Sequence, residues 1–383
     1  QRLIDADLAY YCNCSQDKLQ AMRAQAMERG DKPKYDGTCR NKGRTKAPDT
    51  VVRFKAPLTG TTVIDDVIKG HIVFQNDELD DFIIARSDGT PTYNFVVVVD
   101  DLTMGITNVI RGDDHVMNTP KQIQLYQALG HPLPVFGHVP MVLGHDRARL
   151  SKRHGAMSVT AYRDMGFLPE AVINYLVRLG WSHGDQEFFQ QAELIEKFSL
   201  ENIGKSAGIF DMDKLLALNA DHMKALPMAE LSERLIPFLI RKGCDPGSPD
   251  YVAQIVATLL PRSKTLEEMA VQALFYYATD IVCEDKAAKK FLKAAAHEPL
   301  VLLRNALEPL TAFDEEELEK AFVAVMEQTG LKLGKIAQPV RVALTGRTAS
   351  PGIFEIIAIL GKEKVIARLR QAIDYINQRM AES

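Results

Sequence analysis

Long apolar runs are missing from this chain. The longest, such as Phe95 to Val99, fall far short of the roughly 20 residues that cross a bilayer, and the amino-terminal residues show no basic-then-apolar signal pattern. A cytoplasmic protein with no membrane partner is expected. A disulfide framework is missing too, because the five cysteines, at 12, 14, 39, 244 and 283, are odd in number and unevenly spaced, which fits a reducing compartment. There is no internal repeat and no low-complexity segment. A net charge of -4 argues against an even basic coat of the kind many nonspecific nucleic-acid binders carry. An initiating methionine is absent as well: the chain opens at Gln1, in what reads as the middle of a helix or loop, so the expectation is that something upstream has been removed.

What is present is a 383-residue chain, 46% hydrophobic and 25% charged, able to bury more than one core. Chains of this length split into roughly two to four domains. Local charge departs from the mild acidity of the whole: nine Lys or Arg stand against four acids between Asp17 and Lys46, and Arg147, Arg149, Lys152 and Arg153 crowd a second stretch. Such a mosaic suits selective contact with one structured polyanion, since phosphate contacts position a partner at chosen places. Solvated basic faces are the plainer reading of either patch taken alone.

Up to about Arg86 the chain mixes turns with short β-rich runs at Val51 to Phe54, Ile72 to Phe74 and Phe82 to Ala85, predicting an α+β region. Ser87 to Pro91 is a turn cluster, and the unbroken β-branched run Phe95 to Val99 predicts a strand buried on both faces, ended by Asp100 and Asp101. Asn118 or Thr119 is placed to cap a helix with Pro120 at its first position, running to Gly130. Strand and crossover helix together make half of a nucleotide-binding fold. Beyond about Ala161 the pattern is helical: Pro169 opens a helix with Val172, Ile173, Leu176 and Leu179 on one face, Asp314 and Glu317 form a capping-box-like start, and Ile366, Leu369, Ile373 and Ile376 make a late amphipathic stripe.

Chemistry concentrates in Arg149-Leu150-Ser151-Lys152-Arg153, followed by His154-Gly155. Three cations within five residues repel one another unless solvent or an anion separates them. A triphosphate is such an anion, and mobile cations favour the state in which charge builds on phosphate oxygens as pyrophosphate leaves. By composition alone an exposed basic loop is the simpler account. Context shifts the balance, because the segment follows the nucleotide-fold half, with His138, His145, Gly137 and Gly144 just before it.

Arg149 to Arg153 resembles the second signature of class I aminoacyl-tRNA synthetases, in its Ser-Lys-Arg form. Arg86-Ser-Asp-Gly-Thr-Pro-Thr-Tyr-Asn-Phe, Val99-Asp-Asp and Val109-Ile-Arg-Gly-Asp-Asp-His resemble the substrate-site segments of the glutamate and glutamine group. Ala207-Gly-Ile-Phe-Asp and Ala343-Leu-Thr-Gly-Arg-Thr-Ala-Ser-Pro-Gly-Ile-Phe resemble that group's bacterial-type glutamate–tRNA ligases. The ordered motifs span essentially the whole chain. The resemblance implies a multidomain protein: an acceptor-end-binding α+β insertion over 1–88, the second half of the class I α/β nucleotide-binding fold over 89–160, a helical stem-contact region over 161–230, and an all-α anticodon-binding domain over 231–383. It implies ligation of glutamate to tRNA(Glu) through a glutamyl-adenylate, with ATP and Mg2+, by a monomer.

Residue by residue, the resemblance gives Arg111 the substrate's side-chain carboxylate and Tyr93 a place lining the same pocket. It puts Asp114 and His115 near the adenosine, and gives the phosphates to Lys152 and Arg149, with Ser151 between them in the catalytic loop. A salt bridge for Arg111 and a packed strand position for Tyr93 are the structural alternatives. Arg341, Arg262, Ser350, Pro351 and Phe354 become candidates for reading anticodon bases, with a core position the alternative for Phe354. Cys12, Cys14, Tyr35 and Cys39 resemble a zinc patch of some members, but Asn41 stands where certain members have histidine, so either Tyr35 supplies the fourth ligand or the site is vestigial. The family's first signature, a His-Ile-Gly-His-like loop, does not occur in these 383 residues; His71-Ile72 is followed by Val73-Phe74. The chain as written is therefore expected not to form the adenylate. A catalytically silent tRNA-binding protein is the rival reading, opposed by the retained phosphate loop and Arg111, and a base-modifying relative is disfavoured by the helical carboxyl-terminal part.

Overall fold

Alternation of apolar and polar residues builds the first strands. The structure, a computed structural model, describes residues 1–151 and 158–381. The chain divides into two compact units, Gln1–Ala156 with Leu176–Phe210, and Met157–Tyr175 with Asp211–Ser383.

The first unit begins α1 (Arg2–Asp5), β1 (Ala9–Cys12), α2 (Gln16–Glu28), β2 (Val51–Phe54), β3 (Thr61–Asp66), β4 (Gly70–Gln75) and β5 (Ile83–Ala85), followed by α3 (Tyr93–Met104), β6 (Asn108–Gly112), α4 (Thr119–Leu129) and β7 (Val135–Val139). Antiparallel β1-β2-β5 form one sheet. The other has the order β4-β3-β7-β6, in which β3 and β4 are an antiparallel pair while β7 runs parallel to both β3 and β6. Along β3 the two-residue period turns Thr62, Ile64 and Asp66 inward. Ile64 joins Val98, Ile123, Leu125 and Phe136 in the core.

Phe95 to Val99 is not a strand: it lies in α3, and Asp100 and Asp101 are helical as well. Twelve residues without Gly or Pro intervene before Gly105 closes the helix in the left-handed region, and Phe95, Val98 and Leu102 fall on one face that packs on the core. Helical spacing of the burying residues thus overrides the β preference of the valines. The strand of the nucleotide-fold half is instead β6, and β6-α4-β7 is its crossover unit. Pro120 sits in the first turn of α4 as expected, but Asn118 makes no side-chain cap.

After β7 the chain passes through α5 (Val159–Asp164) and α6 (Pro169–Arg178), and α7 (Gln191–Lys197) belongs to the first unit. There Leu143 N–H donates to the Gly208 carbonyl at 2.9 Å, and a side chain on Gly208 would lie 2.1 Å from the Leu179 carbonyl oxygen. Only glycine permits that approach. The face expected for α6 is corrected: Ile173 and Leu176 are 43% and 51% exposed, whereas Ala171, Val172, Asn174 and Tyr175 are buried. Two polar groups turn inward because they find partners, Asn174 with His222 Nε2 at 3.1 Å and the Tyr175 hydroxyl with the Asp211 carbonyl at 2.8 Å.

The second unit continues with α8 (Met212–Ala225), α9 (Met228–Arg241), α10 (Pro249–Leu259), α11 (Leu266–Tyr277), α12 (Asp285–Phe291), α13 (Ala294–Leu307), α14 (Glu315–Thr329), α15 (Leu333–Thr345) and α16 (Ile353–Ala381). Side-chain N-caps start four of these helices, at Asp211, Ser248, Thr265 and Asp314, each satisfying amides the first turn would orphan. The expected stripe is core: Ile366, Leu369, Ile373 and Ile376 of α16 are buried, as are Leu318, Phe322 and Val325 of α14. At Gly361 α16 is broken, with φ 77° and ψ 161°. Beyond the break Arg368, 1% exposed, donates to the carbonyls of Leu344 (2.7 Å), Phe275 (2.8 Å) and Ala278 (2.6 Å), near the carboxyl ends of α15 and α11. No helix is long and apolar enough to cross a membrane among the described residues.

Candidate functional site

Three parallel strands of the first unit end close together, each delivering a polar side chain: Asp66 from β3, Arg111 from β6 and His138 from β7. Arg111 and His138 are direct ladder partners. Asp66 Oδ1 accepts from the amides of Ile68 (2.9 Å), Lys69 (2.8 Å) and His138 (3.2 Å), and its Oδ2 meets His138 Nδ1 at 2.5 Å. Burial acts to raise the Asp66 carboxyl, but the Lys69 amide and His138 outweigh it and hold the group below its ordinary range. Burial likewise pushes the His138 imidazole below its usual value despite the carboxylate beside it.

On its other edge His138 Nε2 accepts from Arg111 Nε at 3.2 Å and meets the Thr119 hydroxyl at 3.0 Å. Arg111 NH2 donates to Thr119 Oγ1 (2.8 Å) and Gln122 Oε1 (2.7 Å), and Gln122 in turn donates to Asn94 Oδ1 at 3.0 Å. Among the described residues this half-buried guanidinium forms no ion pair; its fixed partners are neutral. Burial lowers its pKa, opposed by Tyr93 and Asp101. The salt bridge considered for Arg111 is thus not found among the described residues.

Tyr93 stands at the first position of α3 rather than on a strand, 51% exposed, its hydroxyl 3.2 Å from His115 Nδ1. Asp114 and His115 lie in the turn after β6. The chain doubles back through 142–150, where Leu150 N–H donates to the Val142 carbonyl at 2.9 Å, and this brings Arg149 NH1 to 3.3 Å from Asp114 Oδ2. Arg149 therefore stands beside the turn that follows β6. Ser151 is half-buried. Lys152, Arg153 and His154 lie outside the described residues.

A separate cluster gathers around the end of β1. The sulfurs of Cys12, Cys14 and Cys39 lie within 4.8 Å of one another, and the Tyr35 hydroxyl is 3.4 Å from Cys12 Sγ and 3.6 Å from Cys14 Sγ. Tetrahedral zinc with thiolate ligands needs sulfurs about 3.8 Å apart, and Cys14 and Cys39 are at 3.6 Å. Burial opposes ionisation of Cys39, yet hydrogen bonds from the Asn13 amide, Tyr35 and the other thiols bring its pKa down to about 7, while burial pushes the Cys14 thiol up, so without a metal one thiol of the set ionises ahead of another. Asn41 is exposed. The donor set is compatible with zinc.

In the second unit a cavity of about 380 Å3 is lined by Arg262, Gln272, Arg347, Ser350 and Pro351 among others. Arg341 Nε donates to Ser350 Oγ at 2.7 Å, and burial followed by the nearby Arg262 charge lowers the pKa of Arg341. Phe354 does not line the cavity; its ring meets Phe322 edge-on at 5.1 Å, against the core. Sequence reasoning missed Arg347 here, although it stands inside a quoted motif. In the first unit it missed Thr119 and Gln122, whose burial is the only signal, and Asp66, which nothing in the sequence marks.

Residues 1–217 match the family described as tRNA synthetases class I (E and Q), catalytic domain, and residues 230–373 match the family described as anticodon binding domain. The chain is 58% identical over 379 residues to a glutamate–tRNA ligase of Syntrophobacter fumaroxidans, and 54% identical over 379 residues to that of Geobacter sulfurreducens, covering 99% of this chain and 81% of each relative. A solved glutamate tRNA ligase from Elizabethkingia meningosepticum, in complex with its amino acid, superposes with a TM-score of 0.86 at 27% identity, covering 98% of this chain and 81% of that one. An arginine held by neutral partners at converging strand ends is what this identity over nearly the whole chain accompanies, and the chain belongs to the glutamate–tRNA ligases, within the class I aminoacyl-tRNA synthetases.

Proposed function

We propose that the protein ligates glutamate to tRNA(Glu) at the expense of ATP, through a glutamyl-adenylate. The observation that carries this reading is Arg111, a half-buried cation whose partners among the described residues are neutral, at the carboxyl ends of parallel strands. Ligands of open α/β sheets bind at that edge. The side-chain carboxylate of glutamate takes the remaining guanidinium donors, with the Tyr93 hydroxyl lining the pocket. The α-carboxylate attacks the α-phosphate of ATP, pyrophosphate leaves, and the acyl group passes to the terminal ribose of the tRNA. Arg149 and Lys152 hold the phosphates with Ser151 between them, while Asp114 and His115 flank the adenosine. Mg2+ accompanying ATP neutralises charge on the phosphates.

Arg341, Arg262, Ser350 and Pro351 read anticodon bases in the second unit, and Phe354 supports them from the core. The cysteine cluster with Tyr35 holds a structural zinc that stiffens the acceptor-end region, residues 1–88. Residues 89–160 form the catalytic half, 161–230 contact the stem, and 231–383 hold the anticodon in a cytoplasmic monomer. The test is Arg111→Ala in tRNA charging, measured on a chain that also carries the family's first signature. Loss of a charge-assisted carboxylate contact of about 2.7 kcal/mol predicts a roughly 100-fold rise in the KM for glutamate, with the KM for ATP unchanged. An unaltered glutamate KM refutes the assignment.

A further inference from the structure

We propose that Asp66 and His138 are positioning residues for the amino-acid pocket: the carboxylate fixes the imidazole tautomer, and the imidazole thereby aims Arg111 at the substrate carboxylate. The inference rests on the ligase reading and names two residues that this reading leaves without a role. Three amides hold Asp66 Oδ1, so its Oδ2 has one fixed direction, toward His138 Nδ1 at 2.5 Å. A carboxylate can only accept, so Nδ1 carries the hydrogen and Nε2 presents its lone pair. That lone pair faces Arg111 Nε, an obligatory donor, at 3.2 Å. The opposite tautomer sets N–H against N–H at the same spot.

Arg111 has five N–H donors. His138 takes the one on Nε, and Thr119 and Gln122 take the two on NH2. Among the described residues the remaining NH1 side has only the Tyr93 hydroxyl, itself a pocket-lining group, beside it, and an incoming carboxylate is placed to take those donors. His138 and Thr119, 3.0 Å apart, grip the one edge of the planar group that carries Nε and NH2, while Gln122 takes the other NH2 hydrogen, so the imidazole fixes that edge. Asp66 and His138 side chains are both fully buried, and neither reaches the pocket. Their effect passes to Arg111, directly and through Thr119, which His138 also meets.

The experiment measures tRNA charging, on a chain that also carries the family's first signature, for Asp66→Asn, His138→Ala, His138→Gln and Arg111→Ala. In Asp66→Asn the amide donates to Nδ1, which drives the ring to the wrong tautomer; the expected result is a 10- to 100-fold rise in the KM for glutamate, with the KM values for ATP and tRNA within twofold of the parent. His138→Ala should behave alike, while His138→Gln, whose carbonyl oxygen can stand in for Nε2, should recover most of the loss. A role confined to strand packing predicts lower thermal stability with no selective change in glutamate KM, and that outcome overturns the proposal, as does equal loss in His138→Gln and His138→Ala. If Arg111→Ala itself leaves the glutamate KM unchanged, the ligase reading of the pocket fails first, so the two failures are separable.

Discussion

Replacing Arg368 by methionine tests how the helical unit is held together. The guanidinium is buried and serves three carbonyls near the ends of α11 and α15, which have no further turn to pair with. A cation there also meets the negative ends of two helix dipoles. Methionine keeps the length and much of the volume, so the change removes charge and donors and leaves little void. Hydrogen bonds from a charged donor contribute about 1.5–3 kcal/mol each, and three of them, less the desolvation of the cation itself, leave a net cost of about 3–5 kcal/mol. With a urea dependence of about 2 kcal/mol per molar, the unfolding transition of this unit should move down by roughly 1.5–2.5 M. Arg368→Lys, with fewer donors and no fork, should lose about half as much. The assay is urea denaturation followed by helical circular dichroism. A midpoint shift below about 0.3 M for Arg368→Met means that water or rearranged backbone satisfies those carbonyls and the clamp is not what joins the helices.

Three further outcomes are expected. Arg341→Ala should raise the KM for tRNA by roughly tenfold, the loss of one base or backbone contact of about 1–3 kcal/mol, while the urea midpoint stays put; unchanged charging kinetics remove it from the tRNA site. Metal analysis of freshly purified protein should find one zinc per chain, falling to a small fraction in Cys39→Ser, and a metal-free parent protein discards the site. Stability of the first unit should depend on pH through the buried pair: His138, neutral in the fold with a lowered pKa, contributes fully above its unfolded value of about 6.5 and loses ground as pH falls below it, whereas Asp66, also lowered, contributes above about 3.9 and is lost only as pH falls through its folded value. Urea midpoints between pH 4 and 8 should therefore decline first near pH 6.5, and His138→Gln should flatten that first step; parallel profiles contradict it.

Much of the helical unit was legible because its signals are local. Asp314 capping Glu317 N–H and the stripe through Leu369 and Ile373 follow from positions a few residues apart. The valines of α3 misled because β-branched composition was weighed above the Phe95, Val98 and Leu102 spacing, which was equally visible. In α6 an apolar stripe was taken as the buried face, but Asn174 and Tyr175 turn inward to partners on α8 and at its cap, contacts no single segment can reveal. Arg111, Tyr93 and His115 were found through motif resemblance, whereas Thr119, Gln122 and Asp66 around them were not. Asp66 and His138 meet across 72 residues, and only the parallel pairing of β3 with β7 brings them together. The thiols were recognisable from Cys12-Asn13-Cys14, while the approach of Tyr35 and Cys39 depends on how the intervening loop folds back.

The break in α16 has a mechanical consequence. A straight rod of this length would run about 44 Å, carrying everything beyond its midpoint along one line. At Gly361 the backbone instead forms an elbow in a region of conformational space that side-chain-bearing residues avoid, although a methyl group there would meet no atom within 4 Å. Crowding does not set this joint; torsion does. One arm continues from the Ser350 and Pro351 loop and the other delivers Arg368. The direction of the Ser350 and Pro351 loop and the reach of Arg368 are thereby joined through a single glycine torsion.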